Sequence, residues 1–171
     1  YRMTYTSNHD QNSWDAAAPD FYGPAYESTI VLSFVGEGLP LIYNGQEACN
    51  EKQLEFFEKD PIAWRDHPIE DLFKSLIGLK TATTALHNGA AGARMVPVVN
   101  TAAEDVLSFA RFDQSGGVFA VFNLSPEAQT ARFTDGPFAG AYVEHFSGEA
   151  VSINGETELA LPAWSYRIYV K

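Results

Sequence analysis

The chain has 171 residues, a formal net charge of -11 and a pI near 4.6, and its 11 Lys and Arg are scattered. That argues against nucleic acid and anionic membranes as partners, since phosphate surfaces need clustered cations, but it permits an uncharged partner such as a sugar. Hydrophobic content of 46% with 13% aromatics supports a packed core. The single cysteine, Cys49, leaves no disulfide framework or multi-cysteine metal site, and no stretch is long and apolar enough to cross a membrane.

Residues 1–10 read as a strand running into a polar loop, and residues 11–21, with Asp, Asn, Ser and Pro19, as a loop. A helix is expected over 22–36, with Pro24 in its first turn, Tyr26, Ile30 and Phe34 on one face, and Gly36 and Gly38 ending it. The apolar run Leu39 to Asn44 suits a strand buried on both faces. A long loop follows over 45–67, where charges alternate with Phe56, Phe57 and Trp64; loops of that length are often functional. Pro68 opens a second helix, 68–87, with an apolar face of Leu72, Phe73, Leu76, Ile77, Leu79 and Leu86, stopped at Asn88-Gly89.

After Gly92 the pattern changes to short alternating runs parted by turn residues. Strands are expected at 93–99, 105–113, 117–124, 128–134, 140–146, 150–153, 156–161 and 164–170. Asp113 to Gly117 and Asn154-Gly155 read as hairpin turns, the latter because both residues tolerate positive φ. Regular short strands after two helices suggest a separate antiparallel sandwich.

The motif that carries chemistry is Asn8-His9-Asp10. A strand ending in this pair, then a helix, then a second apolar strand is one unit of a parallel sheet, and such sheets put their chemistry at strand C-terminal ends. A carboxylate accepts hydrogen bonds from two vicinal hydroxyls while an imidazole donates one. Taken alone the tripeptide is better read as a turn. Its neighbours add weight: Gly38-Leu39-Pro40-Leu41-Ile42-Tyr43-Asn44-Gly45-Gln46-Glu47, then Asp60-Pro61-Ile62-Ala63-Trp64, then Ala85-Leu86-His87-Asn88-Gly89, and finally Leu161-Pro162-Ala163-Trp164-Ser165-Tyr166.

In that order these segments resemble the alpha-amylase family of glycoside hydrolases. The resemblance implies a C-terminal fragment: α/β plus all-β, a partial (β/α)8 barrel (last two strands and helices, residues 1–90) followed by an antiparallel Greek-key β-sandwich (residues 91–171). It implies that Asp10 is the transition-state stabiliser, that His9 binds substrate beside it, and that Asn8 serves local geometry. The family's nucleophile and general acid match no segment here, so the chain alone is expected to be inactive. The implied parent retains configuration and acts on α-1,4-glucans (starch, maltooligosaccharides); a related transglycosylase or isomerase shares the tripeptide.

Trp64, Phe56 and Phe57 read as sugar-stacking or as loop packing, and Trp14 as a subsite wall. His67, His87 and His145 have no metal-ligand spacing and read as surface or loop histidines. The resemblance implies no metal, because the family's calcium site usually depends on a domain inserted early in the barrel that matches no segment here, and no cofactor is expected. The rival reading is a non-catalytic carbohydrate-binding or structural sandwich. Two barrel strands alone would leave open edges, so self-association through residues 1–45 is expected unless the chain is part of a larger protein. The chain opens at Tyr1 without a Met, so the natural start, and any export signal with it, is expected to lie elsewhere; the compartment stays open.

Overall fold

The computed structural model describes residues 2–171. The chain divides into two compact units, residues 1–82 and 83–171.

The first unit is built on a parallel pair of short strands, β1 (Met3–Tyr5) and β2 (Leu39–Leu41), with Met3 opposite Leu39 and Tyr5 opposite Leu41. Parallel strands need a crossover, and here it contains helices α1 (Ala18–Tyr22) and α2 (Tyr26–Val35). The sequence reading of one helix from residue 22 is corrected by Gly23: its φ of 52° ends α1, and a 3-10 turn over Gly23–Ala25 leads into α2. Tyr26, Ile30 and Phe34 are buried on one face of α2 as their spacing predicts. Gly38 allows the strands to meet, since a Cβ there would lie 2.6 Å from the Thr4 side chain. The run 39–44 is paired only to Leu41, and Leu39 and Ile42 are partly exposed, so burial on both faces does not hold in this chain.

Helix α3 (Pro68–Ala82) buries Ile69, Phe73, Leu76 and Leu79, and Phe73 meets Phe34 of α2 with ring centroids 6.1 Å apart. The Lys80 ammonium donates to the Phe34 carbonyl (3.1 Å), placing a cation at the C-terminal end of α2 where the helix dipole favours it. The predicted helix to residue 87 ends at Ala82; a 3-10 turn over Thr84–Leu86 replaces its last turn and another follows over Gly89–Ala91.

The second unit is all-β and antiparallel. Its strands are β3 (Val96–Pro97), β4 (Val99–Asn100), β5 (Val106–Asp113), β6 (Gly116–Asn123), β7 (Gln129–Asp135), β8 (Gly140–Glu144), β9 (Ala150–Ile153), β10 (Glu158–Leu161) and β11 (Tyr166–Val170). They form a six-stranded sheet in the order β3-β5-β6-β11-β8-β9 and a three-stranded sheet in the order β10-β7-β4. The expected strand at 93–99 is split, with a register irregularity where Val99 and Asn100 pair with β7. Phe119 and Val121 from one sheet and Ala131, Phe133 and Leu161 from the other share one core, closed by Tyr142, Ile153 and Tyr169. Alternating apolar residues from two sheets, buried against each other, are the sandwich arrangement.

Arg111 is fully buried in this unit, yet its charge is used: Nε donates to the Ala93 carbonyl (3.0 Å) and Nη2 to that of His87 (3.0 Å). It thereby fastens the segment entering the sandwich to β5.

Candidate functional site

Both parallel strands of the first unit release their loops at C-terminal ends. The β1 loop begins with Thr6 and Ser7, both buried, and then exposes His9 and Asp10, whose side chains are 66% and 64% accessible. His9 Nε2 lies 3.5 Å from Asp10 Oδ1, so the two polar heads are close enough to face one small polyol together. Asn8 sets the turn that presents them: its Oδ1 accepts from the Gln11 amide (2.9 Å) and its carbonyl from that of Asn12 (2.9 Å). The loop then winds into a π-helical turn over Gln11–Asp15, where the sequence suggested only irregular chain.

The β2 loop is held to β1 by Gln46. Its Nε2 donates to Thr6 Oγ1 (2.7 Å) and the Tyr26 hydroxyl (3.2 Å), while its Oε1 accepts from the Tyr43 amide (2.8 Å). Burial pushes the Tyr26 phenol up to about 12, so it stays a neutral partner in this network. Gly45, at φ 94°, makes the turn before Gln46; a side chain there would also crowd Ile62 and Asn50. Arg65 closes the loop base, donating to the carbonyls of Ala48 (3.1 Å) and Cys49 (2.8 Å) and pairing with Glu51 (3.1 Å). Cys49 is raised above the usual thiol range, first by burial and then by Glu51, so it is a poor thiolate.

The two loops are stitched together by Asn12, only 2% exposed. Its Nδ2 donates to the Lys52 carbonyl (3.2 Å) and its Oδ1 accepts from the Leu54 amide (2.8 Å), and beside it Gln53 Nε2 donates to the Ser13 carbonyl (2.7 Å). Further along, Lys52 pairs with Asp60, whose carboxylate also accepts from the Glu55 amide (3.0 Å). These bonds hold its pKa below the usual carboxylate range, the Lys52 bond most of all. The result is a defined path for residues 52–60, and it brings Phe56 to His9 (centroids 5.9 Å apart) and Trp14 to Phe56 (5.3 Å).

Of the residues singled out in the sequence, His9, Asp10, Trp14, Phe56 and Phe57 therefore come together at one end of the strand pair. Trp64 does not join them: it lines a cleft of about 320 Å³ with Glu47, Arg65, Asp66 and Glu70. The residues that sequence reasoning missed are Asn12 and Gln46. Gln46 stands inside the quoted Gly38–Glu47 segment with no local signal of its role, and Asn12 looks like any turn amide. Among the described residues no group of three or more His, Cys, Asp or Glu is arranged to hold a metal ion, and no helix is long and apolar enough to cross a membrane.

Comparison with known proteins adds an independent finding. Residues 98–166 match the family model described as alpha amylase, C-terminal all-beta domain. Among solved structures, a noncanonic maltogenic alpha-amylase, AmyB, from Thermotoga neapolitana superposes with a TM-score of 0.80 at 19% identity, over 98% of this chain and 40% of that one. An alpha-amylase from Geobacillus thermoleovorans, in complex with acarbose, gives 0.77 at 16% identity, over 98% and 38%. A MUTB mutant from crystals soaked with trehalulose gives 0.70 at 14% identity, over 100% and 43%. No curated protein matches the chain significantly. The chain thus spans about two-fifths of the length of these structures and shares their fold. The resemblance read from the motifs is borne out to this extent: residues 98–166 are similar to the all-β C-terminal domain of alpha-amylases, and the chain shares the fold of solved alpha-amylases.

Proposed function

We propose that this chain, with an alpha-amylase C-terminal all-β domain over residues 98–166, is the C-terminal part of a retaining glycoside hydrolase acting on α-1,4-glucans. On this reading residues 1–90 are the last two strands and helices of a (β/α)8 barrel, and residues 91–171 are the domain that follows it. One observation carries the reading: His9 and Asp10 stand exposed and adjacent where a parallel strand ends. That is the end at which parallel α/β architectures hold their ligands.

The chemistry follows from the groups. Asp10 accepts from vicinal hydroxyls of the sugar whose bond is cleaved. As that ring flattens toward an oxocarbenium ion the bonds strengthen, so the carboxylate favours the transition state over the ground state. An imidazole N–H of His9 donates to a neighbouring hydroxyl oxygen and fixes the ring's orientation. Retaining cleavage also needs a nucleophilic carboxylate and a general acid about 5–5.5 Å apart. No segment of this chain matches the motifs that carry them, so these 171 residues bind glucan without cleaving it.

Two measurements test this. Maltoheptaose titrated into the 171-residue chain is expected to shift the His9 imidazole resonances, and Asp10→Asn is expected to weaken that response. Glucan hydrolysis by the same chain is expected to stay at the uncatalysed rate. A silent His9, or hydrolysis that Asp10→Asn abolishes, refutes the reading. The likeness to a MUTB mutant from crystals soaked with trehalulose favours one second reading, part of a related transglycosylase or isomerase acting on a disaccharide, in which trehalulose would displace maltoheptaose from His9.

A further inference from the structure

We propose that Trp14, Phe56 and Phe57 form a stacking platform for the sugar rings that adjoin the one held by His9 and Asp10. The proposal rests on the glucan reading above and adds the surface that sets chain-length preference.

Four observations carry it. First, the three rings are exposed together: Trp14 is 62% and Phe57 82% accessible, with Phe56 between them at 39%. Large aromatics grouped on a surface mark a binding site, whereas isolated ones do not. Second, the group is contiguous with the polar pair. Phe56 lies 5.9 Å from His9 and 5.3 Å from Trp14, and Phe57 lies 4.8 Å from Phe56 and 6.4 Å from Trp14. A sugar on His9 and Asp10 therefore has its neighbour in the chain beside an aromatic surface.

Third, the arrangement is held by buried polar bonds from the backbone below. Asn12, two residues before Trp14, grips residues 52 and 54, just ahead of the two phenylalanines. The loop over 52–60 is further tied by Asp60 to Lys52 and Glu55. A site held in this way loses little side-chain freedom when a ligand settles on it. Fourth, the chemistry fits an uncharged polyol. Aromatic faces carry negative quadrupole density that attracts the C–H face of a pyranose. Glu58 and Lys59, which follow Phe57 in the chain, are exposed and carry acceptor and donor groups suited to hydroxyls.

The test uses maltoheptaose and glucose with the full 171-residue chain, read by the indole N–H resonances of Trp14, Trp64 and Trp164. Maltoheptaose is expected to shift Trp14 while Trp64 and Trp164 stay still. Phe57→Ser, which removes an exposed ring and spares the fold, and Trp14→Ala are each expected to weaken maltoheptaose about tenfold. Both should leave glucose binding within about twofold, because a single ring held by His9 and Asp10 has no neighbour to place on the platform. If Asp10→Asn weakens maltoheptaose but neither aromatic substitution does, the platform is wrong and the glucan reading survives. If His9 does not respond to either sugar, both fail together. If Phe57→Ser instead abolishes self-association of the chain with sugar affinity unchanged, the rings are an interface between copies and the proposal is overturned.

Discussion

Asn12→Ala should free the loop over residues 52–60 without unfolding the rest of the chain. The side chain makes two bonds across the loops: Oδ1 to the Leu54 amide at 2.8 Å and Nδ2 to the Lys52 carbonyl at 3.2 Å. Leu54 is buried, so alanine leaves its N–H without an acceptor, costing about 1–3 kcal/mol, and the lost Lys52 bond adds about 1 kcal/mol. The sum, about 2–4 kcal/mol, falls on the contact between the loops, because Gln46 and Arg65 hold the loop base independently. Amide hydrogen exchange measures it directly. Protection at Leu54 should fall by about thirty- to several-hundred-fold, or to that of open chain if its present opening energy is smaller, while Phe119 and Val121 in the second unit are unchanged. Asn12→Asp keeps an acceptor for Leu54 but buries a carboxylate whose second oxygen faces the Lys52 carbonyl, so it too should lower protection across the loops. Unchanged protection at Leu54 in the alanine variant would refute the view that Asn12 joins the loops.

Gln46→Ala removes two buried bonds, to Thr6 and Tyr26, and a part-buried one from the Tyr43 amide, and should destabilise the first unit by about 2–4 kcal/mol, read from its denaturant midpoint. Phe119→Ala should cost the sandwich about 3–5 kcal/mol, since Phe119 is fully buried against Phe133 (4.8 Å) and Tyr169 (5.9 Å); a loss below about 1 kcal/mol would contradict its central place. Asp113 is held down to about 2, first by the Ser115 hydroxyl and then by Thr84. A depressed carboxyl contributes stability above its unfolded value of 3.8 and loses it as pH falls through about 2, so Asp113→Asn should flatten the acid limb of the stability profile in that window. The β1–β2 pair is a two-stranded sheet with open outer edges, so sedimentation should show self-association of the chain, weakened by charges introduced at Met3 and Leu39.

Parts of this architecture follow from local pattern alone. The apolar spacing of Ile69, Phe73, Leu76 and Leu79 requires a helix that buries one face, and α3 does so. Gly and Asn-Gly turns between alternating runs bound most of the strands of the sandwich, and β9 runs over the residues expected, Ala150–Ile153. His9 and Asp10 were legible because they are adjacent in the chain, so no fold is needed to bring them together. The helix before β2 was legible in its packing face but not in its start, because Gly23 breaks the chain by a positive φ that composition does not reveal.

What tertiary structure decided was everything set by partners far apart in sequence. Asn12 reads as a turn residue until the chain some forty positions later returns to it, because an amide's role depends on which backbone groups lose water beside it. The same return makes Trp14, Phe56 and Phe57 one surface rather than three scattered aromatics. Strand order in the sandwich, with β11 between β6 and β8, is likewise invisible in any single strand. Local steric and hydrophobic periodicity determined which segments are helix or strand. Pairing between segments depends on burial and hydrogen bonding that exist only after the chain has closed on itself.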